Sequence, residues 1–323
     1  MLTNPQSYSR VDDVQWDVLS LLARYGRPTS PRGIRTLECP AISFVLTKPR
    51  NRCISNPARR WSLPLALGEL CWHLSGSDAA EQLGYYAPIW NSLADADGRI
   101  RGSCYGSKIF DTRNGTSLWY RTKALLEADN DTRRAVVYFN DNASHLDRHC
   151  VDAPCAASLQ FLIRDGRLDA IVCMRSNDAI WGLPYDVFLF TFLQEMMAIE
   201  LKVELGSYYH FAGSLHLYER HLGLANRILE SQSTSLHEIE MPPIDRLEDS
   251  LVFLAFEEAL RRETTTHEIT QLSPYWRELA EVLHVFHASK NFGWIKALEI
   301  CSPSNRYLPF LAMFAEVRSP VRD

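Results

Sequence analysis

Apolar residues recur at helical spacing at Val14, Val18, Leu21, Leu22 and Tyr25, and the run stops at Gly26, which predicts a first amphipathic helix. LPLALGELCWHLSG predicts a second, ending at Gly76. The segment between them, SPRGIRTLECPAISFVLTKPRNR, is rich in Pro and Arg with one short alternating run, AISFVL, and reads as loop and strand. After the polar stretch Asp131 to Arg134, AVVYFN is a short β-branched run of the kind found in buried strands. ASLQFLIRDGRLDAIVCMRS alternates on both sides of Asp165-Gly166, the two-residue signal for a type I′ hairpin. YDVFLFTFLQEMMAIEL is apolar nearly all round and predicts a central buried helix, followed by extended VELGSYYHFAGSLHLY. Further on, EDSLVFLAFEEALRRE and YWRELAEVLHVFHASK have helical patterns. There is no internal repeat, low-complexity tract or linker, so the expected fold class is α+β: one domain over residues 1–323, with a mixed β-sheet packed by helices.

Composition narrows the function. With 46% hydrophobic and 23% charged residues, the chain can bury an ordinary globular core. A formal charge of -5 provides no net basic field for a nucleic-acid backbone, so a small-molecule partner is expected. The most apolar run is broken by Gln194 and Glu195 and is too short for a bilayer, and MLTNPQSYSRVDD has no signal pattern, which together predict a cytoplasmic protein. Eight cysteines without CxxC pairs read as free thiols.

Cys155 stands after a proline and just before the first hairpin strand, and Arg175 lies at the far end of the second. The hairpin therefore brings a guanidinium back beside the thiol, an arrangement expected to favour the thiolate nucleophile. In HLDRHCVDAPC, His145, His149, Cys150 and Cys155 raise a zinc reading, but the run lacks paired spacing and a clear four-ligand set, so no metal is expected.

APC, then LQFLIRDGRLDAIVCMRSNDAIWGLPYD, then HLY resemble the thymidylate synthase family, whose pattern is PCH, QRSxD, GLPFN and HLY. GELCWHLSGSD, APIW and CYGSKI resemble its upstream ELLWFLxGD, IW and YG elements in order, and TRRAVVYF its Arg-Arg strand. The resemblance runs from about Arg32 to Tyr218; the C-terminal third resembles nothing usable. It implies that Cys155 attacks C6 of a pyrimidine nucleotide, making C5 nucleophilic toward the one-carbon unit of 5,10-methylenetetrahydrofolate. Glu69 would organise water and proton transfers; Arg175 and Ser176 would hold phosphate; His216 and Tyr218 would hold the sugar. Arg32, with Arg35 as alternative, would supply a further phosphate arginine. Trp90, Asp178 and Gly182 would face the folate. A homodimer is implied, formed through sheet faces, with Arg133 and Arg134 reaching the partner's phosphate site. Several guanidinium forks suit a dianionic phosphate.

Departures from the family pattern matter most. Asp186 in GLPYD stands where the family has Asn. An amide can donate to uracil O4 and accept from N3-H; a carboxyl instead accepts from the cytosine amino group and shares a proton with N3. The family's His after the nucleophile is Ala156, and the second Trp of its IWDEW element falls near Leu93. This combination most resembles the CMP and dCMP 5-hydroxymethylases, including one of nucleoside-antibiotic biosynthesis, in which water replaces hydride at the one-carbon unit. The expected reaction converts CMP or dCMP, with CMP favoured, to its 5-hydroxymethyl product. A methylating thymidylate synthase and a catalytically silent nucleotide-binding protein are the alternatives.

Overall fold

The computed structural model of the chain describes residues 5–113, 115–140, 146, 150, 152–231, 240–264 and 269–316. In chain order come β1 (Gln6–Tyr8), α1 (Val11–Tyr25), β2 (Arg27–Thr29), β3 (Thr36–Leu46), α2 (Leu63–Leu74), α3 (Ala80–Tyr86), α4 (Tyr105–Ile109) and α5 (Leu118–Ala128). Then follow β4 (Val136–Tyr138), β5 (Ala156–Arg164), β6 (Arg167–Met174), β7 (Asn177–Asp178), α6 (Gly182–Leu201) and β8 (Glu204–Tyr218). The rest is helical: α7 (Leu222–Glu230), α8 (Asp249–Arg261), α9 (Pro274–Phe292), α10 (Trp294–Leu298) and α11 (Leu308–Glu316).

The strands form one mixed sheet in the order β1-β3-β8-β6-β5-β4, with β2 on β3 and β7 on β8. The β5–β6 hairpin turns at Asp165 (φ 50°) and Gly166 (φ 72°), the two left-handed residues that a type I′ turn needs. Its pairing with β8 is parallel, so β8 comes back from α6 as a crossover strand. The strand in the Arg- and Pro-rich segment is longer than the alternating run AISFVL predicts, reaching back to Thr36. Pro40 lies between the stretches paired to β2 and β1, where its missing N–H costs no ladder bond, and the strand kinks at Ala41 (φ 56°).

Helix α6 is buried on nearly every side, as its uniform apolar pattern predicts. Its polar interruptions are satisfied: Gln194 donates to Leu168 O (2.9 Å) and Ser207 O (3.1 Å), tying the helix to β6 and β8. Glu195 accepts from Arg50 Nε (2.7 Å), the Ile244 amide (3.2 Å) and the buried Arg52. Aromatic contacts from Phe192 to Trp276 and Tyr275 join α6 to α9, so the C-terminal helices extend the same core. Helix α2 begins with Ser62 accepting from the Leu65 amide (3.2 Å) and with Pro64 in its first turn, and is buried through Trp72. No helix among the described residues is long and apolar enough to cross a membrane.

Candidate active site

The hairpin does what its spacing predicts. Arg175 donates from Nε to Pro154 O (2.8 Å) and from Nη2 to Ala153 O (2.9 Å), and Nη2 stands 3.9 Å from Cys155 Sγ. The Arg175 amide also donates to Cys155 O (2.8 Å), so the nucleophile loop is clamped by backbone and side chain of one residue. Asp152 fastens the loop from the other side, accepting from the amides of Gly102 (2.7 Å) and Ser103 (2.9 Å) and the Ser103 hydroxyl (2.6 Å). Arg175 favours the thiolate, as its place in the hairpin predicts, but burial works against it. Burial pushes the Cys155 thiol up to about 11, and the opposing pull of Arg175 and Arg32 does not restore it.

Arg32 holds a left-handed backbone (φ 52°) and its charge acts on both Cys155 and Tyr218, whereas Arg35 pairs with Glu219 at 3.6 Å. Of the two candidates, Arg32 is the one turned toward the nucleophile. His216 and Tyr218 lie at the end of strand β8 with rings edge to face, 5.0 Å apart, and His216 pairs in register with Asp178 of β7. Burial pulls His216 below its ordinary value while Asp178 opposes. Asp178 also holds its own turn, accepting from the amides of Ile180 (3.0 Å) and Trp181 (3.2 Å). Ser176 is partly buried beside Arg175. Arg133 and Arg134 are exposed just before β4, and among the described residues neither guanidinium is in an ion pair. His145 and His149 lie outside the described residues; among those described, no group of three or more His, Cys, Asp or Glu is placed to hold a metal.

Two partly buried carboxyls act on each other across the site. Burial pushes Glu69 up to about 8, with Asp186 adding to the rise and a hydrogen bond from Trp90 opposing it. Burial likewise pushes Asp186 up to about 7, Asp178 adding and Asn177 opposing. Both acids thus carry a proton for much of the time near neutrality, which suits proton traffic. Gly182 sits directly against Asp186: a Cβ there would come within 3.4 Å of its Oδ2 and 3.0 Å of Asn177 Nδ2. Asp178, another residue expected to face the folate, is also close, its Cβ 3.7 Å from the same point.

Sequence reasoning missed several neighbours. Tyr105 stacks on His73 (5.5 Å, 6°) and its hydroxyl accepts from the Ala156 amide (3.1 Å), which places it beside the nucleophile. Ala156 itself is fully buried, so the position that departs from the family's His packs into the core. Asn177, His210 and Tyr208 form a buried chain running to Asp186. A histidine at an inward-facing position of an alternating strand is the signal that could have found it. Arg59 is also buried, donating to Ile180 O (2.6 Å) with its guanidinium 4.8 Å from the Trp181 ring. A folate needs a flat aromatic wall and polar groups at its edges. Trp181, which is 47% exposed, Trp90 beside Glu69, and Arg59, whose Nε has no partner, fit that need. A separate hollow of about 880 Å³, lined by Gln82, Tyr85, Glu257 and Arg261 among others, shares none of these residues.

Residues 45–258 match the family model for thymidylate synthase. The chain belongs to the thymidylate synthase family. It is therefore a folate-dependent one-carbon transferase, and the family binds a nucleoside monophosphate and uses methylenetetrahydrofolate as donor. The match extends past Tyr218 into α8, farther than the motifs alone reached, and begins after Arg32, so that arginine rests on geometry. A relative, the deoxyuridylate hydroxymethyltransferase of Bacillus phage SP01, is 29% identical over 258 residues, covering 76% of this chain and 67% of its own.

Proposed function

We propose that this thymidylate synthase family member is a cytidylate 5-hydroxymethyltransferase, converting CMP or dCMP, 5,10-methylenetetrahydrofolate and water to the 5-hydroxymethyl nucleotide and tetrahydrofolate. The observation that carries the reading is Asp186: a partly buried carboxyl, at the position the family resemblance makes base-reading, poised to hold a proton near pH 7. Such a group can share its proton with cytosine N3 and accept from the exocyclic amino group, and it can neutralise the ring as sulfur attacks C6. In its ionised form it presents only lone pairs to a uracil O4, and such a mismatched pair costs about 1–3 kcal/mol. In this scheme Cys155 forms the bond to C6, with Arg175 stabilising the sulfur's negative charge as its proton leaves. Glu69 holds or moves the proton near C4 and orders the water that supplies the hydroxyl. Arg32, Arg175 and Ser176 bind the phosphate, and His216 and Tyr218 the sugar. The folate supplies a carbon at the oxidation level of formaldehyde, and Trp90, Trp181 and Asp178 border the place it would occupy.

A homodimer belongs to the same proposal. Ile171 and Tyr209, and Cys173 and Phe211, are register partners on the sheet face away from α6, and Phe211 is 40% exposed. Pairing of two such faces would cover them and carry Arg133 and Arg134 to the other subunit's phosphate site. A fully active monomer by light scattering would remove this part.

The name of the phage relative favours a second reading, hydroxymethylation of a uracil nucleotide. Product masses from CMP, dCMP, UMP and dUMP separate the two and also expose a methylating enzyme, whose product lacks one oxygen. We expect hydroxymethylated cytosine nucleotide from the wild type, none from Cys155→Ser, and at least about a tenfold fall in the cytosine-over-uracil ratio of kcat/KM for Asp186→Asn. A wild type that uses uracil as well as cytosine would overturn the cytidylate reading.

A further inference from the structure

We propose that Asn177 is a positioning residue that decides which oxygen of Asp186 carries the proton, and that His210 and Tyr208 lock Asn177 in the orientation that does so. The inference rests on the proton-sharing role of Asp186 proposed above but not on which base it reads.

The chain of bonds is continuous: Asn177 Nδ2 to Asp186 Oδ2 at 2.7 Å, His210 Nε2 to Asn177 Oδ1 at 3.0 Å, and Tyr208 OH to His210 Nδ1 at 2.9 Å. Asn177 and His210 are 2% exposed and Tyr208 is fully buried, so water does not rearrange these partners. The direction of donation follows from counting hydrogens. If Asn177 turned its oxygen to Asp186, its nitrogen would donate to His210 Nε2, and His210 would have to donate from Nδ1 to the Tyr208 oxygen. Among the described residues the Tyr208 hydroxyl has one hydrogen-bond partner, His210, so its own hydrogen would then be buried without an acceptor. That penalty is avoided only when Tyr208 donates to His210, His210 to Asn177, and Asn177 to Asp186. His210 serves as a neutral relay: burial draws its titration down to about 3, and its ring lies stacked on Phe44 at 4.8 Å.

With Oδ2 already accepting from Asn177, the proton of Asp186 belongs on Oδ1, the oxygen left for a ligand. The groups that face Asp186 are Glu69 on α2, Tyr105 on α4, Cys155 before β5, Asp178 on β7 and Tyr208 on β8. None of these is a cation, so the Asn177 amide is the group that steadies the carboxylate form.

The test is the pH dependence of nucleotide affinity in a Cys155→Ser background, and of kcat/KM in the active enzyme, each measured with whichever pyrimidine nucleotide binds best. Asn177→Leu removes the donor at similar volume and should move the titration of Asp186 upward by roughly one pH unit. Tyr208→Phe should move it the same way by less, and His210→Gln, which can still donate to Asn177, should restore most of the wild-type profile. If Asn177→Leu fails to fold, Tyr208→Phe decides. An unchanged profile in a folded Asn177→Leu or Tyr208→Phe protein overturns the inference even where cytosine preference survives. A wild type that prefers uracil, with shifted profiles in these variants, overturns the base assignment and leaves the positioning role standing.

Discussion

Glu195 and Asp186 sit on the same helix, about two and a half turns apart, Glu195 fully buried and Asp186 partly so, and they titrate in opposite directions. Burial pushes both up. At Glu195 that push is outweighed by Arg52 and Arg50, which hold the carboxyl below its ordinary value. At Asp186 no cation answers it, and the neighbouring Asp178 adds to the rise, so the group ends at about 7. Glu195 has spent its charge on neighbours and is fixed as a carboxylate, a strut between α6 and the chain around residues 50–52. Asp186 has been given one amide donor and otherwise left in want of a partner. A ligand that brings a hydrogen-bond donor or a basic ring nitrogen supplies it. The difference separates a buried acid that holds the fold from one that serves a site.

The harshest way to break the comparison is Glu195→Ala. Arg52 is fully buried and its Nε and Nη1 have no partner even in the intact protein, so removing Glu195 leaves a whole guanidinium uncompensated. We expect a loss of about 3–5 kcal/mol in urea unfolding, with kcat/KM per folded molecule little changed. A loss under about 1 kcal/mol would mean that the pair is no strut and that the contrast with Asp186 is one of titration alone.

The next test uses pH. Glu69 and Asp186 have folded values raised to about 8 and about 7, so their neutral forms favour the folded state. That contribution is fully present below their ordinary values near 4 and is lost as pH rises through the folded values. Glu195, whose folded value is lowered, works the other way: its contribution is present above its ordinary value and lost as the solution turns acid. Asp186→Asn and Glu69→Gln should therefore each be more stable than wild type at pH 8, by about 1–3 kcal/mol, with the advantage gone near pH 4. Both variants should lose activity, the exchange expected when a site is built from destabilised groups. Equal stabilities at both pH values would place these acids in ordinary solvated surroundings.

How far the sequence revealed these regions follows from what each interaction depends on. The β5–β6 hairpin, α6 and the contact of Arg175 with Cys155 were legible because they follow from period, turn chemistry and a twenty-residue separation. The acid at Asp186 was legible from a motif with one changed letter. Asn177 was not, although it stands inside the same motif: its amide matters only because β7 pairs with β8 and because α6 opens with a glycine, which together bring Asn177 and Asp186 within 2.7 Å. Glu195 was read as a polar break in an apolar run, since its two arginines lie some 145 residues earlier in the chain. The balance at the Cys155 thiol was legible only in part for the same reason: a guanidinium that favours the thiolate can be inferred from spacing, but the burial that opposes it cannot.

The smallest expected effect makes the sharpest probe of Asp186. Gly182→Ala adds one methyl group at the first residue of α6, where the new Cβ would stand 3.0 Å from Asn177 Nδ2 and 3.4 Å from Asp186 Oδ2. Alanine in a helix gains up to about 1 kcal/mol over glycine, and the close contact to Asn177 takes part of this back, so net stability should change by less than about 0.5 kcal/mol. The amide, however, has to give way by a few tenths of an ångström, and a longer bond from Asn177 steadies the carboxylate less. The titration of Asp186 should therefore rise by a fraction of a pH unit, seen as a displaced limb in the pH profile of kcat/KM at unchanged Tm. Were Tm to fall while the profile stayed in place, Gly182 would be a packing glycine only, and the bond between Asn177 and Asp186 would tolerate more displacement than a tuned pair should.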